Sequence, residues 1–477
     1  MASIPASAAT AFASVLLLAT ALPAQTTEAA SSTAGVSKIR VVRLSEVKGA
    51  VKMDRAIDRG FEPAVANMPI VEKSRLRTDE GVAEVEFEDN STLRLAPNSV
   101  AEFPQLERLA TGGTASSVHL LRGMAYVSLV KTRGNAFQLL FGHQAIALEP
   151  GTHVRLELDD ARANLAVLDG TVRVDGPAGP EEIARKKTLT FHLADQTQSV
   201  EKDVAAQPYD SWDQTETGYH ARTAAYSALS SSPYIYGLND MMYYGSFMDA
   251  GGCGMMWRPY FTSAAWDPFS NGSWAFYQGA GYSWVSPYPW GWTPYHYGSW
   301  SFCPGSGWGW QPGGLWNGLS NGTSLMASGG PVRFQPPPGH APLPGESTLT
   351  AVNLRPLEHS QLASAESFVF RKDSAGLGIP RDGLGKLEKL SRQAEERGTA
   401  STRIYLSAPA AMGYGRVMSS SLGEVAVHRG SAPSSYSFES EPTARGGSSG
   451  FGNSGMSSVA VSSRSAGPAP TSSGHSK

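Results

Sequence analysis

Few residues of this 477-residue chain have the type and spacing to do chemistry. Cys253 and Cys303 are its only cysteines, and in an oxidising compartment the simple reading is a disulfide between them. Two buried free thiols are the alternative. Without a His/Cys pair nearby they cannot complete a four-ligand metal set, so neither a metal nor a cofactor is expected. Gly446-Gly-Ser448-Ser-Gly450 spells the nucleophile elbow of esterases, but lacks the strand before and the helix after that such a strained turn requires. His143 and His153, with no carboxylate at a diagnostic spacing, read as strand or turn residues. Asp210, Asp213 and His296 would reopen an enzymatic reading only if the fold gathered them in one cleft. No HExxH, phosphate loop or dinucleotide fingerprint occurs, and the expectation is a non-enzyme.

The other residues with evident potential are aromatic. All 11 Trp and 13 of the 17 Tyr fall between Tyr209 and Trp316, and no charge separates Asp267 from Arg333. The segment repeats with a period of 26: Trp266-Asp-Pro268, Gly272-Ser-Trp274-Ala-Phe276 and Gly279-Ala-Gly281-Tyr-Ser-Trp284 recur as Trp292-Thr-Pro294, Gly298-Ser-Trp300-Ser-Phe302 and Gly305-Ser-Gly307-Trp-Gly-Trp310. Trp274–Tyr277 and Tyr282–Val285 flank Gln278-Gly-Ala-Gly281 as the arms of a β-hairpin. A partial third unit starts at Cys253-Gly-Met-Met-Trp257-Arg-Pro259-Tyr260. Repeats of this kind bury their apolar face by stacking on neighbours, so residues 209–316 should fold as one meander. Two uses of the aromatics remain open. They are the core of a small domain, or some of them, with Trp266, Trp274, Trp284, Trp292, Trp300 and Trp310 as candidates, form an exposed patch for an envelope protein or a cell-wall glycan.

Such residues need a scaffold, and the preceding segment supplies strands. Apolar and polar residues alternate in Ile39–Leu44, Val82–Glu88 and Thr92–Leu95, with Asp89-Asn90 as a tight turn between the last two. Further strands are expected at Val118–Leu121, Ala125–Val130, Ala136–Phe141, Gln144–Leu148, His153–Leu158, Leu165–Leu168 and Thr171–Val174. Three stretches, Val47-Lys-Gly49-Ala-Val51, Arg75-Leu-Arg-Thr78 running on to Asn98-Ser99, and Val167-Leu-Asp-Gly170-Thr-Val172, resemble the periplasmic FecR-type domain. Asn90 stands where that family usually places Gly. The resemblance implies an extracytoplasmic β scaffold for interaction. The cytoplasmic segment and membrane helix through which transmembrane members reach a sigma factor are not seen. Trp257-Arg-Pro259-Tyr260 and Pro289-Trp-Gly-Trp-Thr-Pro-Tyr-His-Tyr-Gly-Ser-Trp300 resemble an uncharacterised Trp/Tyr/Gly-rich bacterial domain that follows FecR-type domains.

The ends complete an all-β plan. Ala11–Leu22 followed by Pro23-Ala-Gln25 reads as a signal peptide over 1–24, although no Lys or Arg precedes Lys38. A FecR-like β domain over 38–205 and a Trp-rich hairpin repeat domain over 209–316 follow. Residues 317–477 read as a Pro/Gly/Ser-rich linker and a largely disordered C-terminal region, with one short amphipathic helix at 382–397. A net charge of −3 without long like-charge runs disfavours nucleic acid, and no stretch after the leader offers ~20 uncharged apolar residues. The whole reads as an exported, periplasmic or secreted, non-catalytic interaction or sensing scaffold, with a glycan-binding module as the alternative.

Overall fold

The computed structural model describes residues 39–176, 179–223, 234–319, 335–352, 374–377, 379 and 381, and short strands at Ile404–Ser407, Ala411–Gly413, Arg416–Met418 and Ser421–Val425. All lie in the larger of the two units into which the chain divides, Met1–Phe438. The expected signal peptide, the 382–397 helix and the Ser448 motif fall outside the described residues.

Strands from Val42–Lys48 to Gln198–Glu201 form two layers joined by one long strand, Thr114–Ser128. Its first half pairs with Val100–Arg108 and, in parallel, with Ala136–Phe141. Its second half pairs with Thr92–Leu95 and His153–Leu158 in the other layer. The two strands expected at 118–121 and 125–130 are thus one. Gly123 sits at the crossing with φ +90°, where a Cβ would come within 2.6 Å of Ser99 Cα. Val85, Leu93, Leu95, Val127, Val154 and Leu165 of one layer meet Leu76, Phe103, Leu120, Leu139 and Ile146 of the other in a single core. Asn90 takes φ 68° in its turn, as a residue in the glycine position must.

Among the described residues the aromatic segment contains three hairpins: Gly245–Asp249 with Met255–Pro259, Gly272–Tyr277 with Gly281–Val285, and Ser299–Cys303 with Gly307–Gln311. Phe247 pairs with Trp257, Trp274 with Trp284 and Trp300 with Trp310. Each hairpin is led by Gly-Ser-aromatic, at Gly245, Gly272 and Gly298, so the third repeat is a full hairpin that begins before Cys253. The segment is not one meander. The first and third hairpins share a four-stranded sheet, while the second joins Leu349–Val352 in a separate three-stranded one.

The expected boundary at 316/317 also fails, because later segments return to the fold. Leu349–Val352 pairs with Gly272–Tyr277, Gln335 accepts a bond from Trp274 Nε1 at 3.0 Å, and Ala375 one from Trp290 Nε1 at 2.6 Å. Two helices that the β reading lacked, Asp210–Thr223 and Leu238–Tyr244, lie between the sandwich and the hairpins in sequence.

Candidate functional site

Period-two alternation sends Glu84, Glu86 and Arg94 outward from their sheet, with Arg43, Tyr126 and Arg155 on the same face. An outward face of this composition would normally meet water. Here Arg43, Glu84 and Glu86 are fully buried, and Arg94 and Arg155 nearly so. The cover is helix Asp210–Thr223, helix Leu238–Tyr244 and Arg381, each supplying polar groups that match the sheet.

The matching is residue by residue. Arg94 Nε donates to Glu84 Oε2 at 2.8 Å, and its Nη1 to Asp213 Oδ1 at 2.7 Å and Thr217 Oγ1 at 2.9 Å. Arg155 Nη1 and the Tyr126 hydroxyl both donate to Asp210 Oδ1, at 2.7 and 2.9 Å. Arg43 bridges Glu86 and Asp240, each at 2.8 Å, and donates to the Pro289 carbonyl at 2.7 Å. Arg381 completes the seam through Glu84 at 2.7 Å, Glu216 at 3.0 Å and Asp240 at 3.1 Å. His220 Nε2 lies 3.0 Å from Glu84 Oε1.

Burial alone would raise the Glu84 pKa, but His220, Arg381 and Arg94 outweigh it and hold the carboxyl well below its ordinary range. Glu216 goes the other way: burial first, then the nearby Glu46, raise it. Buried pairs of this type contribute little when intact relative to an apolar substitute, yet removing one partner costs about 3–5 kcal/mol. The seam therefore fixes which surfaces meet. A second contact zone repeats the pattern. Asn67 Nδ2 donates to the Ser286 and Tyr288 carbonyls at 3.0 and 2.7 Å, and the Tyr277 hydroxyl to Pro69 O at 2.7 Å.

The candidate acid/base residues do not share a site. Asp210 and Asp213 are engaged by arginines of the sandwich, while His296 stacks on Trp316 at 5.5 Å between ring centroids inside the aromatic core. His143 is exposed in a turn; His153 Nε2 lies 3.0 Å from Asp213 Oδ2. Cys253 and Cys303 are joined, their Cα atoms 6.1 Å apart. No group of three His, Cys, Asp or Glu side chains among the described residues could hold a metal.

The six tryptophans considered for an exposed patch are core residues instead, each between 0 and 4% exposed. Trp290, which was not among them, is the hub: it stacks on Tyr288 at 4.9 Å and meets Trp257 edge-on at 5.0 Å. The patch expectation assumed a free-standing domain of about 100 residues, which leaves a third of its surface wet. The segment instead packs on the sandwich, where Ala275, Tyr277 and Val285 join the sandwich core, and it is covered by the returning segments.

An all-β sandwich sealed by charge to a Trp-rich hairpin unit thus defines the protein, and comparison places both parts. Residues 74–173 match the FecR protein family, and residues 238–325 match a family of unknown function, DUF6600. The chain carries a FecR-type domain followed by a DUF6600 domain. No curated protein matches it. Two crystal structures of a proposed anti-sigma factor from Parabacteroides distasonis align at 14% identity with TM-scores of 0.25, covering 32% and 31% of this chain and 74% and 72% of theirs. At that similarity they carry no argument about its activity or partners.

Proposed function

We propose that this is a non-catalytic protein of the cell envelope that acts as one interaction or sensing body rather than as two tethered modules. The observation that carries the reading is the sealed seam: the charged face of the FecR-type sheet is occupied by the chain's own Asp210, Asp213, Asp240 and Arg381. A partner must therefore use the remaining surfaces. Export is supported by the FecR match, the Cys253–Cys303 bond and the apolar run Ala11–Leu22. No described helix is long and apolar enough to cross a membrane. Fractionation of cells producing the full chain, with thiol alkylation at lysis, tests the reading. Recovery in the envelope or medium without alkylatable thiol is expected; a cytoplasmic, doubly alkylated protein would overturn it.

A further inference from the structure

The charged face of the FecR-type sheet continues past the seam. One row along from Tyr126 and Arg155 stand Met124, Glu157 and Asn164, with Met124 paired to Glu157 and Glu157 to Asn164 across neighbouring strands. Residues two apart on a strand share a face, so this row lies on the same side of the sheet as the seam. Helix Asp210–Thr223 begins beside it, and the turn leading into the helix, residues 207–209, forms a wall. Ala96 and Pro97 border the row at Met124, where Ala96 N donates to the Met124 carbonyl at 3.0 Å. Together they enclose an open cleft of about 400 Å³, within the roughly 300–1,000 Å³ of small-molecule sites. Cavities beside Arg40 and beside His143 offer only about 20 and 10 Å³, room for a single water.

The cleft is held by the seam itself. Asp210, gripped by Arg155 and Tyr126, also accepts from the Gln207 backbone N–H at 2.8 Å. The half-buried Tyr209 ring stands at right angles to Trp212, 6.4 Å away. Two amides are tied down at one end each. Gln207 Nε2 donates to Glu157 Oε2 at 2.8 Å, which leaves Gln207 Oε1 as a fixed acceptor. Asn164 Oδ1 accepts from Thr190 Oγ1 at 2.9 Å, which leaves Asn164 Nδ2 as a fixed donor. The Tyr209 hydroxyl can serve either way. Asp159 is anchored through Oδ1 by the Ala161 and Arg162 backbone N–H groups, both at 2.8 Å.

We propose that this cleft binds a neutral sugar of mono- or disaccharide size, with the Tyr209 ring as its platform and Gln207 Oε1, Asn164 Nδ2 and Asp159 as partners of its hydroxyl groups. A hydroxyl donates and accepts at once, and so matches fixed donors and acceptors set side by side. The C–H faces of a sugar ring suit the apolar surface of Met124, Pro97 and Pro208 next to them. An anion would meet the carboxylates of Glu157 and Asp159. A cation finds Glu157 already paired with Arg155 Nε at 2.8 Å and Asp159 lying 3.8 Å from Arg162. The site uses a surface that the seam leaves open and does not depend on where the protein resides.

The test follows the Met124 methyl resonance in the full-length, oxidised protein carrying labelled methionine methyls, assigned by its loss in Met124→Leu. The probes are cellobiose, maltose and diacetylchitobiose, with sodium glucuronate and n-butylamine as the charged controls. A saturable shift with at least one neutral sugar is expected, and the tightest of the three identifies the preferred type. Asn164→Ala and Tyr209→Ala, both on half-buried side chains at the cleft, should each weaken that sugar by about fivefold or more while the protein stays folded by circular dichroism. No saturable shift with any neutral sugar, tighter binding of glucuronate or butylamine, or unchanged sugar affinity in both variants would each overturn the proposal.

Discussion

Glu84 meets three partners at once, Arg94, Arg381 and His220, on a strand whose other face is aliphatic core. Arg94→Met leaves Glu84 and Asp213 short of a donor in a buried setting, and should cost about 3–5 kcal/mol in urea unfolding followed by tryptophan fluorescence. A loss below 1 kcal/mol would mean that water reaches the seam. Trp300→Ala should cost a similar ~3–5 kcal/mol, because the indole is fully buried against Trp266 and Trp290. His296 gives a pH signature. Burial lowers its pKa from 6.5 to about 4, so between these values the unfolded chain binds the proton and the folded chain does not. The stability tied to neutral His296 is complete above pH 6.5 and is lost as pH falls toward 4, by about 3 kcal/mol in all. Urea midpoints measured from pH 7 to 4.5 should fall accordingly, and His296→Gln should flatten that part of the slope.

At the level of elements, the hairpins share one steric rule. A Cβ on Gly272 would stand 2.1 Å from Trp284 Cζ2, and one on Gly298 2.6 Å from Trp310 Nε1. Gly298 also has φ +75°, so Gly298→Ala combines a clash with backbone strain and should lower the melting temperature more than Gly279→Ala, a turn position open to solvent with φ +77°. Comparable shifts would show that the indole yields easily. The strand pattern and the 26-residue repeat were legible because alternation and identity are local. The third hairpin was harder to see: Gly245 and Trp257 precede Gly272 and Trp284 by 27 positions, and Phe247 replaces the first tryptophan. Helix Asp210–Thr223 escaped for a physical reason. It buries Asp213, Glu216, Tyr219 and His220, spaced as one helical face, yet two of these four are acids and one a histidine, so no apolar stripe marks it. The same blindness applied to Glu84 and Arg94, since alternation cannot distinguish a charge facing water from one facing a partner.

At the level of the molecule, the shared core and the seam predict one unfolding transition for the FecR-type and aromatic parts together. Calorimetry of the oxidised protein should show a single main endotherm with matching fluorescence and far-UV signals; two separated transitions would show the parts to be independent. Reduction of Cys253–Cys303, which closes a loop of 50 residues, should lower that common transition, with at most about 4 kcal/mol lost. A fragment of residues 38–205 alone would expose Arg43, Glu84, Glu86, Arg94 and Arg155 without the partners that Asp210, Asp213, Asp240 and Arg381 supply, and should be markedly less stable than the same residues in the full chain.

Arg381 lies 297 positions after Glu84, the residue it neutralises. A chain emerging in order from its N-terminus therefore assembles Glu84, Glu216 and Asp240 long before their common cation exists. The seam can close fully only once residue 381 has arrived. A product cut short of Arg381 leaves Glu84, Glu216 and Asp240 without the one cation that they share.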